Sequence, residues 1–427
     1  MSSSGVRRAA AAAGAGAGLA ALYAYQVGKY QRSVGRRFNI DAPPAPGSDE
    51  FNRLLEAMTG TPQRAGNRVT VLRNGATLEN MRQAISKATS TVDFSSYIFW
   101  PGEAAEGFME AFIDRARAGV DVNVVVDAYG SAKFGPGNVE RLREAGVDVA
   151  LFRPPRWYTL NRLNNRMHRR VLIVDGTIGY TGGVGVADVW TGDAENPEHW
   201  RETHLRLEGP VVLDVFGAFM ENWMEATGEL LTGVHVPEVD PFDDGVGVQI
   251  TRGTPTGGPT GTSELFYAAI AGARQRLWMT TAYFSPDAGF EEALCAAAER
   301  GVDVRILVNG QKVDKEISRQ AGQRSYEPLA QAGARIFEYD RTMLHAKVLL
   351  VDDTWANVGS GNFDARSFDH DLEVNASVTD RACVEELAGH FLDDLESSSE
   401  FDLATWRRRS LRKRVAERAT DAVRQSL

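Results

Sequence analysis

The sequence predicts an α/β protein of two similar lobes, packed as a pseudo-dimer with one active site at their seam. Three observations carry that expectation. A His, a basic residue two positions on and an apolar run occur twice, in MHRRVLIVDGTIGYTGGVG (167–185) and LHAKVLLVDDTWANVGSGN (344–362). The pattern strand, helix, strand, helix, strand precedes each copy, as expected of a duplicated α/β unit. The 427 residues suffice for two sizeable cores.

Along the chain, residues 1–40 carry Arg7, Arg8, Lys29, Arg32, Arg36 and Arg37 and no acid, around the uncharged stretch Ala9–Val27. That stretch approaches the roughly 20 residues a spanning helix needs. A retained membrane anchor is expected, with a cleaved secretory signal or an Ala-rich tail as rivals. More positive charge follows the stretch than precedes it, which orients the body to the cytoplasmic side of the cell inner membrane. Residues 41–65 read as a linker.

The first lobe is expected over 66–250. Within it YIFWPGEAAEGFMEAFIDRARAGVDVNVVVDAYGS (97–131) has a strand, a helix with three-to-four apolar spacing, a Gly-Val-Asp turn and a second strand. The second lobe, 263–405, repeats this as AYFSPDAGFEEALCAAAERGVDVRILVNGQ (282–311). Further on, LREAGVDVALF (142–152) corresponds to LAQAGARIFEY (329–339). TRGTPTGGPTGT (251–262) has neither periodicity nor apolar anchors and reads as the connector. Residues 406–427 place Leu411, Val415, Ala419, Val423 and Leu427 at spacing four among eight basic residues, a basic amphipathic helix suited to anionic lipid.

Charge narrows the partners. The net charge is −10, and each end carries +6, leaving −22 on residues 41–405. An acidic body with basic ends suits attachment to a membrane surface better than coating of nucleic acid, and no nucleic-acid partner is expected. Cys295 and Cys383 sit in helical, apolar stretches and imply neither a disulfide framework nor a zinc site.

The paired motif suggests phosphoryl transfer. Residues i and i+2 of a strand share a side, so His168 with Arg170, and His345 with Lys347, point together from the strand ends. A neutral imidazole can attack phosphorus and divide one hard displacement into two easier ones. A second His from the other lobe can protonate the leaving oxygen and then deprotonate the incoming alcohol or water. The cation beside each His can hold the non-bridging oxygens. No metal or other cofactor is expected.

HAKVLLVD followed by GSGN resembles the HxKxxxxD and GSxN signature of the phospholipase D superfamily. NFDARSFDHDLEVN, WRETHLRLEGPVV (200–212), TAYFSPD (281–287) and RSYEPLAQAGARIFEYDRTMLHAK (324–347) resemble its bacterial cardiolipin synthase branch. The likeness runs over roughly residues 66–400. It implies His168 as the nucleophile that forms a phosphohistidine and His345 as general acid and base. It also implies an orienting acid downstream of each: Glu202 for the first motif and Glu373 for the second. Ser360 and Asn362 would add neutral donors to the phosphate beside Arg170 and Lys347. Asp175 and Asp352, at the far ends of the motif strands, are expected to be structural, as are the motif glycines Gly182 and Gly359.

The first copy departs from the pattern. Arg170 stands where Lys is usual, and Gly183 and Gly185 replace the Ser and Asn of the second copy. Arg keeps the charge but presents a planar fork. A non-catalytic lipid-binding scaffold is therefore one alternative. The resemblance otherwise implies transfer of a phosphatidyl group between phospholipids, phosphatidylglycerol above all, with phospholipase D hydrolysis and nucleic-acid phosphodiester cleavage as rivals. His199 and His204, which flank Glu202, and His370 are expected in ordinary roles, His235 and His390 look incidental, and Tyr97 and Tyr283 read as core or seam residues.

Overall fold

A computed structural model describes residues 39–155, 165–255 and 261–408. The expected N-terminal anchor, except its last two residues, and the C-terminal helix beyond Arg408 lie outside them. Among the described residues no helix is long and apolar enough to cross a membrane.

In the first half the strands are β1 (Arg64–Arg73), β2 (Thr91–Ser96), β3 (Asp121–Asp127), β4 (Asp148–Phe152), β5 (Val171–Val174), β6 (Ile178–Gly182) and β7 (Thr203–Glu208). The second half has β8 (Val246–Gly253), β9 (Arg276–Thr280), β10 (Phe284–Ser285), β11 (Asp303–Asn309), β12 (Arg335–Tyr339), β13 (Val348–Val351), β14 (Trp355–Gly359), β15 (Phe363–Asp364), β16 (Glu373–Thr379) and β17 (Ser398–Glu400). β10 and β15 form a separate small pair. The others join in one 15-stranded sheet, ordered β17-β12-β11-β9-β13-β14-β16-β8-β1-β7-β6-β5-β2-β3-β4. Read outward from the β8/β1 junction, the two halves have the same order, and β17 is an addition at one edge.

The motif strands are apolar throughout because both their faces are covered. Val171 and Ile173 of β5, with Val348 and Leu350 of β13, enter one core that spans both halves. Helices Val212–Thr227 and Arg381–Leu395 roof that core. Leu172 and Val174 face the first half's own core, and Leu349 and Val351 the second's. The shared core is what fixes the halves to each other.

Two expected boundaries move. The linker 41–65 contains helix Asp49–Thr59, started by a Ser48 cap and closed by Gly60 in the left-handed region. Its Phe51 and Leu55, one turn apart, are fully buried in the second half's core, where Phe51 meets Trp355 edge-on at 5.6 Å. The expected connector also shifts, since Thr251–Gly253 complete β8 and Thr262 opens helix Thr262–Gly272. β8 pairs with β16 at seven positions, so by pairing it belongs to the second half. The crossing between halves runs instead through 228–245.

That crossing is latched by a residue that looked incidental in sequence. His235 is buried, with Nδ1 3.3 Å from Asp93 and Nε2 3.0 Å from Asp121. Hydrogen bonds to both carboxylates, against the cost of burial, raise its pKa to about 9. A pKa raised on folding stabilises fully below the unfolded value near 6.5, and the gain is lost as pH rises through about 9. The margin in melting temperature of the parent over His235→Gln should therefore shrink between pH 6.5 and 9. His235→Ala should cost about 2 kcal/mol at pH 6, because it leaves Asp93 buried without its cation. Thermal denaturation across pH checks both.

Candidate functional site

The site is assembled by two short parallel bridges across the seam, Met167 to Leu372 and Arg201 to Leu344. In the first, His168 N donates to Leu372 O at 3.0 Å and Leu372 N to Arg166 O at 2.9 Å. In the second, His345 N donates to Arg201 O at 2.8 Å and Arg201 N to Met343 O at 2.9 Å. Each bridge sets a catalytic-type His of one half beside the residue that precedes a Glu of the other.

The side chains follow. His168 Nδ1 lies 2.9 and 3.1 Å from the two Glu373 carboxylate oxygens, and His345 Nδ1 bonds the Glu202 carboxylate. This corrects the expected pairing, which joined each Glu to the motif of its own half. The reason is the backbone, since the bridges bring Leu372 against Met167 and Arg201 against Leu344. Both glutamates are fully buried, His168 is 8 % exposed and His345 4 %.

Two cations close the group. Arg170 donates one guanidinium nitrogen to His168 O, while Nε and Nη2 are buried with no hydrogen-bond partner among the described residues. Lys347 donates to His345 O and sits 2.9 Å from His345 Nδ1 and 3.8 Å from Glu202. Buried guanidinium donors without acceptors are costly, so the arrangement is set for an anion. Both cations act on both histidines, which marks a single site.

The charges are tuned unequally. Burial, then Arg170 and Lys347, hold His168 well below its ordinary range, and burial, then Lys347, lower His345 to about 3. Both imidazoles are therefore neutral. Burial pushes Glu373 up to about 7. It also acts upward on Glu202, but Lys347 and His345 outweigh it and leave that carboxyl below its usual value. Burial brings Lys347 down to about 7.

Ser360 departs from its expected place as a phosphate donor. Its hydroxyl donates to Glu373 and accepts from Val374 N at 3.0 Å, which makes it a support for the carboxylate. At the equivalent position in the first half stands Gly183, where a Cβ would come within 2.4 Å of Glu202 Oε2. Asn362 Oδ1 is buried without a hydrogen-bond partner among the described residues. Gly182 and Gly359 make room for His204 and Asn375, whose atoms a Cβ would meet at 2.6 and 2.2 Å. Asp175 and Asp352 lie at the far strand ends and accept backbone N–H groups of Thr89 to Thr91 and of Arg274 to Arg276.

The surroundings hold residues that the motif did not reveal. Tyr97 meets the His168 ring edge-on at 5.1 Å, and Trp190 and Trp200 each stand 5.5 Å from the His345 ring. Arg169, fully buried and two residues before β5, donates to Glu373 O at 3.0 Å and to Gly253 O at 3.1 Å. The paired Arg in MHRR was its only signal. His204 is buried beside Gly182, with burial lowering it to about 3, whereas His199 bonds Glu195. His168, Asp371 and Glu373 offer ligand atoms within 4.8 Å of one another. Those atoms already serve the His168–Glu373 bond and the 3.0 Å pair of Asp371 with Arg366.

Comparison with known proteins adds a family. Residues 81–198 and 266–395 match the family described as cardiolipin synthase, phospholipase D-like domain. A cardiolipin synthase of Geobacillus sp. (strain WCH70) is 34% identical over 369 residues, 86% of this chain and 73% of that protein. Cardiolipin synthase 2 of Bacillus anthracis is 33% identical over 351 residues, 82% of this chain and 68% of that one. Among solved structures, a phosphatidylserine synthase of Haemophilus influenzae Rd KW20 matches with a TM-score of 0.65. That match covers 88% of this chain and 100% of the other at 13% identity, a likeness of fold.

The crossed pairing is open to direct test. Glu373→Gln should abolish the preference of His168 for a proton on Nδ1, whereas Glu202→Gln should leave it unchanged and disturb His345 instead. Nitrogen-15 NMR of labelled imidazoles, assigned with His168→Ala and His345→Ala, reads the tautomers.

Proposed function

Since the chain belongs to the cardiolipin synthase, phospholipase D-like family, a family of phosphatidyltransferases, we propose that it moves a phosphatidyl group from phosphatidylglycerol, or another phospholipid, to a hydroxyl of phosphatidylglycerol. The observation that carries this reading is the pair of crossed His–Glu contacts around buried guanidinium donors that find no acceptor among the described residues. A phosphodiester supplies that acceptor.

In the first half-reaction the phosphate lies between Arg170 and Lys347, with Asn362 at its edge. Glu373 holds the Nδ1 proton of His168, which leaves the Nε2 lone pair to bond phosphorus. The bond from phosphorus to the headgroup oxygen breaks, His345 gives that oxygen a proton, and glycerol leaves. The anionic phosphate offsets the cations that depress His345 and so raises its pKa toward that of a useful acid. In the second half-reaction the acceptor hydroxyl bonds phosphorus, His345 takes its proton and the phosphorus–nitrogen bond breaks. Two phosphatidylglycerols give one cardiolipin and one glycerol. The aromatic rings of Trp190 and Trp200 beside His345 favour a lipid alcohol over water. Segments 1–40 and 406–427 hold the enzyme at its membrane.

Full-length protein in phosphatidylglycerol vesicles should form cardiolipin and release glycerol without added metal and regardless of chelator. Phosphatidic acid alone would make it a hydrolase, and cleavage of single-stranded DNA with inert lipid would overturn the lipid reading. His168→Ala and His345→Ala should each lose on the order of 10³-fold in kcat.

Lys347 sets the pH profile. Its ammonium in the free enzyme is lost through about pH 7, so kcat/KM should decline above that pH while kcat, which reports the phosphate-bound site, holds further. Lys347→Arg, permanently charged, should remove that alkaline limb. Steady-state rates between pH 5 and 9 measure it.

A further inference from the structure

A phospholipid cannot reach this site from solution without drawing its acyl chains into water. Arg170 and Lys347 are 2 and 4 % exposed, so a phosphate held there has left the headgroup plane. The rim above them must then meet the bilayer itself, and the structure shows what that rim carries.

The motif strands β5 and β13 run antiparallel to β2 and β9, with Val171 opposite Ser95 and Val348 opposite Thr280. β3 and β11 run parallel to β2 and β9. The loops that follow β3 and β11 therefore rise at the edge of the sheet where His168 and His345 sit, one loop from each half. Side-chain contacts agree. Tyr129, after β3, has its ring 5.9 Å from the guanidinium of Arg166, two residues before His168. Lys315, after β11, lies 4.9 Å over the Tyr283 ring and is among the cations acting on His168.

These loops turn apolar and cationic groups outward together. Tyr129 is 66 % exposed and Ile317 51 %, although both are large apolar side chains. Lys133, Lys312 and Lys315 are exposed beside them. Lys133 rests 4.0 Å over Trp100, and Lys312 donates to Arg341 O at 2.9 Å, contacts that leave each charge uncancelled. Of the neighbouring acids, Glu316 pairs with Arg319 at 3.0 Å, while Asp314 keeps its charge and accepts from Tyr283 Oη at 2.8 Å. An outward aromatic and aliphatic pair accompanied by three exposed lysines that form no ion pair among the described residues, on a body otherwise strongly acidic, is complementary to an anionic lipid surface.

We propose that this rim is a membrane-docking surface, with Tyr129 of the first half and Ile317 of the second entering the bilayer on either side of the seam and Lys133, Lys312 and Lys315 meeting anionic headgroups. The proposal rests on the lipid-substrate reading and adds to it the face through which lipid enters. It is separate from the two terminal segments.

Two measurements test it. In the full chain with Cys295→Ser and Cys383→Ala, an Ile317→Cys variant carrying an environment-sensitive dye should shift to the blue with phosphatidylglycerol vesicles but not with phosphatidylcholine vesicles. No shift with phosphatidylglycerol overturns the docking surface, even where the ends hold the chain on the vesicle. Tyr129→Ser combined with Ile317→Ser should lower turnover of vesicular phosphatidylglycerol about tenfold and leave turnover of a water-soluble short-chain phosphatidylglycerol unchanged. Equal loss on both substrates, or loss on neither, overturns it. A blue shift in a protein that turns over neither lipid would uphold docking and sink phosphatidyl transfer instead.

Discussion

Everything at the site depends on two backbone bridges that cross the seam. Each is a pair of hydrogen bonds near 2.9 Å, small against the cores that surround it. They nonetheless decide which Glu meets which His, because a side chain cannot choose a partner its backbone does not approach. Neither half on its own supplies the carboxylate that supports its motif imidazole. The buried seam pair of Arg201 with Asp394, at 2.9 Å, and the reach of Arg169, two residues before β5, to Glu373 O and Gly253 O hold the same arrangement from behind. Breaking a buried pair of this kind costs more than its net contribution, since a lone charge remains inside.

The two halves share an outline but not an electrostatic character. Glu373 has Ser360 as a donor and lies high, near 7, where burial dominates. Glu202 has no hydroxyl partner at the equivalent position, because Gly183 occupies it, and is instead held low by Lys347 and His345. The ring environments differ in parallel, with one tyrosine on His168 and two tryptophans on His345. The two imidazoles therefore stand in chemically distinct surroundings, which suits the proposed division into one that attacks and one that carries a proton.

Much of this was legible in the sequence, for identifiable reasons. The repeated His, basic residue and apolar run revealed the duplication, because strand periodicity fixes which residues share a side and apolar runs signal strands covered on both faces. Glu202 and Glu373 could be named from their surroundings in the chain. Their partners could not, because the pairing is set across more than 140 residues by bridges with no sequence signature. Ser360 was given to the phosphate because a motif records a residue's presence and not the direction of its hydroxyl. The helix at Asp49–Thr59 was open to detection from Ser48, the acids after it, Phe51 and Leu55 one turn apart and Gly60, yet its short polar stretch read as a linker. His235 had no neighbour in sequence to mark it, since its two carboxylates come from β2 and from the start of β3.

The contrast between Gly183 and Ser360 bears on why such a site is encoded by one chain. In an assembly of two identical subunits, a substitution that suits one imidazole is imposed on the other, and a hydroxyl at this position would crowd one carboxylate wherever it supported its twin. Covalent duplication lifts that symmetry. Each copy is then free to drift toward its own task while the seam keeps them in register, and a missing side chain in one half becomes a specialisation instead of a defect.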